Sequence, residues 1–265
     1  MSRKIAFFDV DGTLTSEVDG HVPEDTAAAI AEARANGNLM FINTGRCFQN
    51  VEPRFREIGW DGYVCGCGTN IYCSGQDVLH VCQTHSTTMQ ILNAARQTDV
   101  DILFESRNHV AFDLSRQLHH PGAISLYQSF VSHHYEMPED LKNPDFLTDK
   151  FVIWYQDEAQ LTAFRKVSDQ WFECIDREGT FREFVPYSYS KASGIQYVLN
   201  HYNLKLTDAY AFGDSNNDLS MLTYVPHSIA MGNASPVSLF DQVEYVTAKS
   251  SCGGIRQALE HYCFL

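Results

Sequence analysis

The sequence lacks any long apolar run, and this absence excludes whole classes of protein. No stretch of its 265 residues approaches the roughly 20 apolar residues that a membrane-spanning helix requires. After Met1-Ser2-Arg3-Lys4 only the short run Ile5 to Phe8 precedes Asp9, whereas a secretory signal needs a longer apolar stretch. We therefore expect a soluble, cytoplasmic protein with no membrane partner, which excludes membrane ion pumps.

Basic residues are scarce as well. The chain has 19 Lys and Arg against 33 Asp and Glu, which gives a net charge of −14. A surface this acidic repels nucleic acid and anionic lipid, so we expect neither as a partner. Small anionic substrates are repelled by such a surface as well. A site that binds them must therefore supply local positive charge, from a metal ion and a few basic side chains.

The eight cysteines include no C-x-x-C pair, and Cys65-Gly66-Cys67 has the closest spacing. A zinc site needs about four suitably spaced ligands, so we do not expect one. Reduced thiols, several of them on buried strands, are the simpler interpretation. Hydrophobic residues make up 44% of the chain, which is enough for a sizeable core.

Strand-like and helix-like segments alternate in the N-terminal third of the chain. Lys4 to Phe8 and Leu39 to Ile42 are apolar runs that suit buried parallel strands. Pro23-Glu24-Asp25 opens an alanine-rich helix that ends near a glycine. Phe48 to Ile58 is predicted as a second helix, whose start is left open because Pro53 lies inside this range. The same alternation resumes near the C-terminus, and repeated βα units predict a parallel sheet with helices on both faces.

The middle of the chain has a different pattern. It begins with a predicted helix, Thr87 to Gln97, and two short predicted strands, and continues as a polar stretch that contains four histidines. A strand, a helix and two closing strands are predicted between Lys150 and Val185. We interpret this part as a separate α+β domain inserted into the first. The predicted domains are a core at 1–82 and 187–265 and an inserted domain at 83–186.

An acidic pair follows the first predicted strand directly, in Asp9-Val10-Asp11-Gly12-Thr13. Two carboxylates two residues apart lie on the same side of an extended backbone. They repel each other unless a cation or a shared proton relieves the repulsion. The glycine lets the backbone turn sharply. Taken alone, the pattern is equally typical of an acidic turn or a helix cap.

Three further segments carry polar groups at comparable places. Thr44-Gly45-Arg46 follows the second strand, and Lys191 begins a helix where backbone N–H groups favour an anion. Gly213-Asp214-Ser215-Asn216-Asn217-Asp218 offers two carboxylates and two amides after another strand. Each alone could be an ordinary turn, a solvated lysine or a polar loop. Together they predict one site, because the carboxyl ends of parallel strands form one edge of a sheet.

These segments carry a resemblance to a known family. The runs Asp9 to Thr15 and Gly213 to Asp218, with Thr44 and Lys191, match the four motifs of the haloacid dehalogenase superfamily. More narrowly, the chain resembles the Cof-type phosphatases, whose cap domain lies between the second and third motifs. The tail agrees, with Ala230-Met231-Gly232-Asn233-Ala234, Tyr245-Val246-Thr247 and Gly253-Gly254-Ile255. One departure is Cys67-Gly68-Thr69, where many relatives have Asn-Gly-Ala.

The resemblance implies an α/β fold, in which a Rossmann-like doubly wound parallel sheet carries an inserted α+β cap domain. It implies that Asp9 attacks phosphorus and becomes an aspartyl-phosphate, which divides a difficult hydrolysis into two steps. Asp11 is implied to protonate the leaving oxygen and then to take a proton from the attacking water. Mg²⁺ is the implied metal, with the Asp9 carboxylate, the Asp11 main-chain carbonyl, Asp214 and waters as ligands.

Other residues receive supporting roles from the same resemblance. The residues implied to bind the phosphoryl group are Thr44, Gly45, Lys191 and Asn217. Asn217 is expected to hold either the phosphate or Lys191, and Asp218 is expected to orient the ligands. For Arg46, contact with the substrate and a structural salt bridge both stay open.

Two other functions stay open beside a phosphatase. A phosphomutase shares the cap type and the aspartyl-phosphate, and a non-catalytic protein could sense a sugar phosphate. Dehalogenation fits less well, because Asp11 and the metal carboxylates suit phosphate better. The expected substrate is a small phosphorylated metabolite, with sugar phosphates as the leading class. Nucleotide, cofactor and polyol phosphates also stay open, as does the oligomeric state.

Overall fold

The computed structural model of the chain describes residues 3–138, 140–177 and 179–265. The chain divides into two compact units. The core unit contains residues 3–46, Asn50–Leu79 and Tyr189–Leu265, and the inserted unit contains Cys47–Gln49 and the described part of His80–Ser188. The functional domain limits expected from the sequence, 1–82, 83–186 and 187–265, stay a prediction.

The described residues form strands and helices in an order that alternates in the core unit. The strands are β1 (Ile5–Phe8), β2 (Leu39–Asn43), β3 (Gly62–Cys65), β4 (Asn70–Cys73), β5 (Gln76–His80), β6 (Asp101–Glu105), β7 (Val110–Phe112), β8 (Lys150–Trp154), β9 (Phe172–Asp176), β10 (Phe181–Pro186), β11 (Ala209–Ser215), β12 (His227–Ser235) and β13 (Tyr245–Val246). The helices are α1 (Glu24–Ala35), α2 (Pro53–Arg56), α3 (His85–Thr98), α4 (Pro121–Ser132), α5 (Glu158–Ser168), α6 (Lys191–Tyr202), α7 (Leu219–Tyr224) and α8 (Gly254–His261). Within the described ranges, none of these helices combines the length and apolar character that crossing a membrane demands.

The core unit is built on an eight-stranded sheet with the order β13-β12-β11-β1-β2-β3-β4-β5. The pairs from β13 to β3 are parallel, and β3 pairs with β4 in the antiparallel direction. The centre of the sheet is β1, whose Phe8 is in register with Phe212 on one side and Ile42 on the other. This parallel order confirms the predicted doubly wound α/β fold.

Helices cover both faces of this sheet. Ile5 and Phe7 belong to one apolar cluster with residues of α6 and α7. Because side chains alternate along a strand, Ala6 and Phe8 lie on the opposite face. The helices α1 and α8 pack against each other, and α1 also contacts β2. All four residues of β1 are fully buried, as the apolar run predicts for a strand covered on both sides.

The inserted unit is an α+β layer with an antiparallel sheet of order β7-β6-β8-β10-β9. One apolar cluster joins one face of this sheet to α3 and α5, and a second cluster joins the other face to α4. The second face also carries a buried ion cluster, in which Lys150 contacts Glu105 and Glu183. The unit therefore has its own core, as the sequence pattern predicted.

One expectation about local structure was wrong, and one helix was not predicted. The region Phe48 to Ile58 is not one helix, because it consists of a 3₁₀ turn at Phe48–Asn50 and the short α2, which starts at Pro53. The polar, histidine-dotted stretch contains α4. His120 caps this helix by accepting a hydrogen bond from the Gly122 N–H (3.1 Å), and burial of Ala123 and Phe130 stabilises a sequence of modest helix propensity.

Candidate active site

The chain turns sharply directly after β1. The Asp9 N–H donates to the Phe212 carbonyl oxygen (3.0 Å), so the pairing of β1 with β11 extends to the predicted nucleophile. Asp11 keeps an extended backbone, whereas Gly12 adopts φ +79°, the region that favours glycine. A Cβ at Gly12 would lie 2.2 Å from Oδ2 of Asp214. Only glycine therefore lets the predicted metal ligand Asp214 approach this turn.

Lys191 lies between two carboxylates rather than in solvent. Its side chain is 1% exposed, and its Nζ donates to Oδ1 of Asp9 and to Oδ1 of Asp218, both at 2.5 Å. Burial alone would lower the pKa of Lys191, but Asp218 and Asp9 outweigh burial, so the pKa is raised above its ordinary value. The lysine is therefore a permanent cation beside the predicted nucleophile.

Asp218 organises the loop that follows β11. While its Oδ1 holds Lys191, its Oδ2 accepts hydrogen bonds from the backbone N–H groups of Asp214 (2.9 Å) and Ser215 (3.1 Å). A Cβ at Gly213 would lie 2.6 Å from the Cβ of Asp218, so the loop closes only with glycine there. Both carboxylate oxygens of Asp218 are thus engaged inside the protein.

Three carboxylates come together at this point. Ligand-capable atoms of Asp9, Asp214 and Asp218 all lie within 4.8 Å of one another. Burial, and then the neighbouring Asp218, raise the pKa of Asp9 to about 7, even though Lys191 opposes the shift. Burial, and then Asp9 and Asp218, raise the pKa of Asp214 to about 8. One ammonium therefore does not neutralise the three acids.

Asp11 has a different environment from Asp9. Arg46 holds it in a two-pronged ion pair, with Nε–Oδ2 and Nη2–Oδ1 distances of 2.9 and 2.6 Å. The Nη1 of Arg46 also contacts Oε1 of Glu52 and the Asn50 carbonyl, both at 3.1 Å. Asp11 keeps 62% of its side chain exposed, whereas the Asp9 side chain is 5% exposed. Of the two possibilities left open for Arg46, the structure shows the salt bridge.

The segment after β2 meets the turn after β3. Thr44 is 1% exposed, and its hydroxyl oxygen accepts a hydrogen bond from the Arg46 N–H (3.1 Å) across Gly45. The Thr44 carbonyl accepts from the Cys67 N–H (3.1 Å). Cys67 has φ +54°, and it is among the groups that raise the pKa of Lys191. The departure from the usual Asn-Gly-Ala pattern therefore lies beside the lysine.

The turn at Cys67 also packs on the start of α6. A Cβ at Gly68 would lie 2.4 Å from the Ser190 carbonyl oxygen. Ser190 caps α6 by accepting a hydrogen bond from the Ser193 N–H (3.2 Å). These contacts fix the first turn of the helix and, with it, the position of Lys191.

Two residues make contacts that the motifs did not specify. The Oδ1 of Asn217 accepts a hydrogen bond from the Ser215 hydroxyl, and its expected contact with the phosphate or Lys191 stays a prediction. Thr13, which received no role, is fully buried and donates to Oδ1 of Asp214 (3.1 Å). Its place inside the Asp9 to Thr15 motif was the available signal. Thr13 thus orients one carboxylate oxygen of Asp214 and leaves the other facing Gly12.

The chain is similar to several known proteins. Residues 6–259 match the family described as haloacid dehalogenase-like hydrolases. YkrA of Bacillus subtilis, which is named as a candidate phosphatase, is 27% identical to this chain over 260 residues. The aligned residues cover 98% of both chains. The HMP-PP phosphatase of Serratia proteamaculans is 26% identical over 275 residues, which cover 98% of this chain and 93% of its own.

Solved structures show the same fold. The sugar phosphatase BT4131, assigned to subclass IIB of the superfamily, superposes with a TM-score of 0.81 at 23% identity, over 99% of this chain and 100% of its own. The resemblance stated from the motifs and the prediction of an enzyme are confirmed at the level of the family. The chain belongs to the haloacid dehalogenase-like hydrolases.

Proposed function

We propose that the chain is a Mg²⁺-dependent phosphatase that hydrolyses a small phosphorylated metabolite through an aspartyl-phosphate on Asp9. One observation carries the proposal. A buried carboxylate directly after β1 is held 2.5 Å from a buried ammonium, beside two further carboxylates that the ammonium does not neutralise. This arrangement supports the proposal because it brings three groups together. They are a nucleophile (Asp9), a cation that can bind phosphoryl oxygens (Lys191) and a set of carboxylates that can bind a metal ion.

The residues present fit a divalent cation. Three carboxylates against one ammonium leave a formal charge of −2. Burial first, and then repulsion between these carboxylates, raise the pKa values of Asp9 and Asp214. Asp218 has both oxygens engaged, so Asp9, Asp214 and the Asp11 main-chain carbonyl are the groups that would hold the ion. Mg²⁺ prefers such oxygen ligands. It would shield the attacking carboxylate from the charge of the phosphate.

In the proposed first step, Asp9 attacks phosphorus and the leaving oxygen departs with a proton. Lys191 holds Oδ1 of Asp9 and so fixes the carboxylate in one orientation. The same ammonium and the hydroxyl of Thr44 supply positive charge and a hydrogen bond to phosphoryl oxygens, since the Thr44 oxygen accepts from Arg46 while its proton can donate. Positioning and electrostatics carry most of the catalysis of phosphoryl transfer.

Asp11 is the proposed acid and base. It lies two residues after the nucleophile, and its side chain is exposed. Its carboxyl group can therefore give a proton to the leaving oxygen and later take one from water. Arg46 fixes the position of the Asp11 carboxylate. During proton transfer a carboxylate oxygen of Asp11 must contact the leaving oxygen or the water as well as Arg46. In the second step the water activated by Asp11 breaks the aspartyl-phosphate, and phosphate leaves.

A sugar phosphate is the proposed substrate class. The likeness to the sugar phosphatase BT4131 spans 99% of this chain and includes the inserted unit. The similarity to HMP-PP phosphatases supports phosphorylated metabolites of comparable size. We propose the inserted unit as the cap domain that selects among them, with 83–186 as its limits, in a cytoplasmic enzyme.

The test measures phosphate release from a panel of sugar, polyol, nucleotide and cofactor phosphates. Asp9→Asn keeps the shape but removes the attacking carboxylate, so turnover should fall by orders of magnitude. Asp241→Asn, an acid exposed in the core unit, is the matched control and should keep full turnover. Borohydride reduction during turnover should convert Asp9 to homoserine, which mass spectrometry of the peptide detects.

Three outcomes would contradict the proposal. Substantial turnover by Asp9→Asn would exclude the covalent step on this residue. Phosphate release that depends on a sugar bisphosphate activator, with an isomeric sugar phosphate as the main product, would identify a mutase. Sugar-phosphate binding without turnover would identify a sensor.

A further inference from the structure

Three consecutive peptide groups in the turn after Asp9 are held by side chains from outside those groups. They are the peptide groups between residues 10 and 11, 11 and 12, and 12 and 13. The side chains that hold them are Thr15 and Asn233. Neither side chain received a role from the motifs, although Thr15 ends the first motif and Asn233 lies in the tail that resembles the Cof-type phosphatases.

Thr15 spans the two peptide groups on either side of Asp11. Its hydroxyl oxygen accepts a hydrogen bond from the Gly12 N–H (3.0 Å) and donates its proton to the Val10 carbonyl (3.2 Å). The Thr15 N–H also donates to the Val10 carbonyl (3.0 Å). The residue is 6% exposed, so water does not readily replace these bonds. Both backbone angles of Asp11 are therefore restricted by one side chain.

Asn233 holds the next peptide group. Its Nδ2 donates to the Gly12 carbonyl (2.8 Å), and its Oδ1 accepts from the Ser250 N–H (2.9 Å). In the opposite amide orientation, Oδ1 would face the Gly12 carbonyl oxygen and Nδ2 would face the Ser250 N–H. The two hydrogen bonds therefore define the orientation of the Asn233 amide. Asn233 lies in β12, close to its carboxyl end, and reaches from there across to the nucleophile turn.

Ser250, which holds Asn233, is also hydrogen-bonded to the segment that follows the nucleophile turn. Glu17, two residues after Thr15, accepts hydrogen bonds from the Ser250 hydroxyl (2.7 Å) and the Ser251 N–H (3.1 Å). Although burial opposes the shift, hydrogen bonds from the Ser251 and Ser250 hydroxyls, and then the Ser251 N–H, lower the pKa of Glu17 to about 2, so it stays ionised at neutral pH. The turn that carries Asp9 and Asp11 is thus closed into a ring through Asn233, Ser250 and Glu17.

We propose that Thr15 and Asn233 are positioning residues that preset the Asp11 main-chain carbonyl as a metal ligand. A trans peptide group is planar, with its carbonyl opposite its N–H. Because the Gly12 N–H points to Thr15, the Asp11 carbonyl points away from Thr15. With the following peptide group held by Asn233, the carbonyl keeps one direction before any cation arrives. The inference rests on the proposed function and adds two residues to its metal site.

The test measures Mg²⁺ binding by isothermal titration calorimetry on the full chain without substrate. Thr15→Val keeps the shape but removes the hydroxyl, and Asn233→Ala removes the second contact. Each should raise the Mg²⁺ dissociation constant about 10-fold or more, as the loss of groups that orient metal ligands typically does. Thr15→Ser restores the hydroxyl and should bind Mg²⁺ as the wild type does.

A matched control separates positioning from general stability. Thr88 in the inserted unit is fully buried, and its hydroxyl donates to a main-chain carbonyl, that of Thr84 (3.1 Å). Thr88→Val should lower the melting temperature as a lost buried hydrogen bond does, and leave the Mg²⁺ dissociation constant unchanged. A role of Thr15 in stability alone would give Thr15→Val the same result as this control.

The outcomes distinguish this inference from the proposed function. Wild-type affinity for Mg²⁺ in folded Thr15→Val would overturn the inference and leave the phosphatase proposal standing. Should Thr15→Val not fold, unchanged affinity in Asn233→Ala, whose side chain is partly exposed, would overturn it equally. A wild-type chain that binds no Mg²⁺ would overturn both the inference and the metal requirement of the proposed function.

Discussion

The metal-free protein should lose stability as the pH rises from 5.5 to 7.0, because of the carboxylates that surround Lys191. The pKa of Asp9 is raised from 3.8 to about 7 and that of Asp214 from 3.8 to about 8, in both cases chiefly by burial. Between pH 5.5 and 7.0 the unfolded chain has lost these protons, whereas the folded chain keeps most of them and Asp9 becomes half ionised only near pH 7. An acid with a raised folded pKa contributes stability that is lost as the pH rises toward that pKa.

The magnitude follows from the number of protons. One proton bound only by the folded state gives a slope of about 1.4 kcal/mol per pH unit, so 1.5 pH units remove about 2 kcal/mol. For a chain of this size, that corresponds to a relative shift of roughly 4–8 °C in melting temperature. Other groups titrate in the same window. The quantity to compare is therefore the difference between the wild type and Asp9→Asn, which lacks one of the two acids.

Differential scanning calorimetry in excess chelator, at pH 5.5 and at pH 7.0, measures this difference. The melting temperature of Asp9→Asn relative to that of the wild type should rise by that amount from pH 5.5 to pH 7.0. Saturating Mg²⁺ should remove the gain, because the cation replaces the protons on the same oxygens. An equal melting-temperature difference at both pH values would refute the reasoning, since the carboxyl of Asp9 would then not bind a proton in the folded state.

Three other predictions concern the metal, a buried ion cluster and the inserted unit. Exhaustive chelation should abolish phosphate release and Mg²⁺ should restore it. Ca²⁺ should restore it poorly, because its larger and looser shell does not keep the geometry; full activity in chelator would contradict this. Lys150→Met removes the buried cation between Glu105 and Glu183, while Arg177 still contacts Glu183, and should cost about 3–5 kcal/mol, seen as a lower melting temperature; an unchanged melting temperature would count against it. Replacing 83–186 with a short linker should leave a core that binds Mg²⁺ and hydrolyses an activated aryl phosphate slowly, and unchanged substrate selectivity would argue against a selecting cap.

Much of the core fold could be predicted from local chemistry. The apolar run Ile5–Phe8 and the polar residues directly after it indicated a buried strand that ends at a site, and the structure has both. The glycine at position 12 predicted a sharp turn of the backbone there. The structure adds that the space of a Cβ at this position is taken by Asp214, 202 residues further along the chain. Motif spacing predicts which residues share a sheet edge, because parallel strands align their carboxyl ends.

Other features depended on tertiary structure that no local pattern indicates. A lysine at the start of a helix is most often solvated, and only the contacts of Lys191 with Asp9 and Asp218 show that it is buried. The helix α4 was missed because its sequence mixes glycine, serine and aromatic residues of modest helix propensity. Burial of two of its residues decides the structure instead. Such burial is a property of the whole fold.

The contrast between Asp9 and Asp11 gives a physical reason why two carboxylates so close in sequence can divide the chemistry. Asp9 is buried and needs Lys191, with a further cation, to stay ionised as the nucleophile must. Asp11 is 62% exposed and meets a guanidinium that is itself anchored by Glu52, so its protons can be exchanged with solvent and substrate. Carboxylates in different environments are how enzymes separate roles that share one functional group. Exchanging the two environments, rather than removing either acid, would therefore abolish the division between attack and proton transfer.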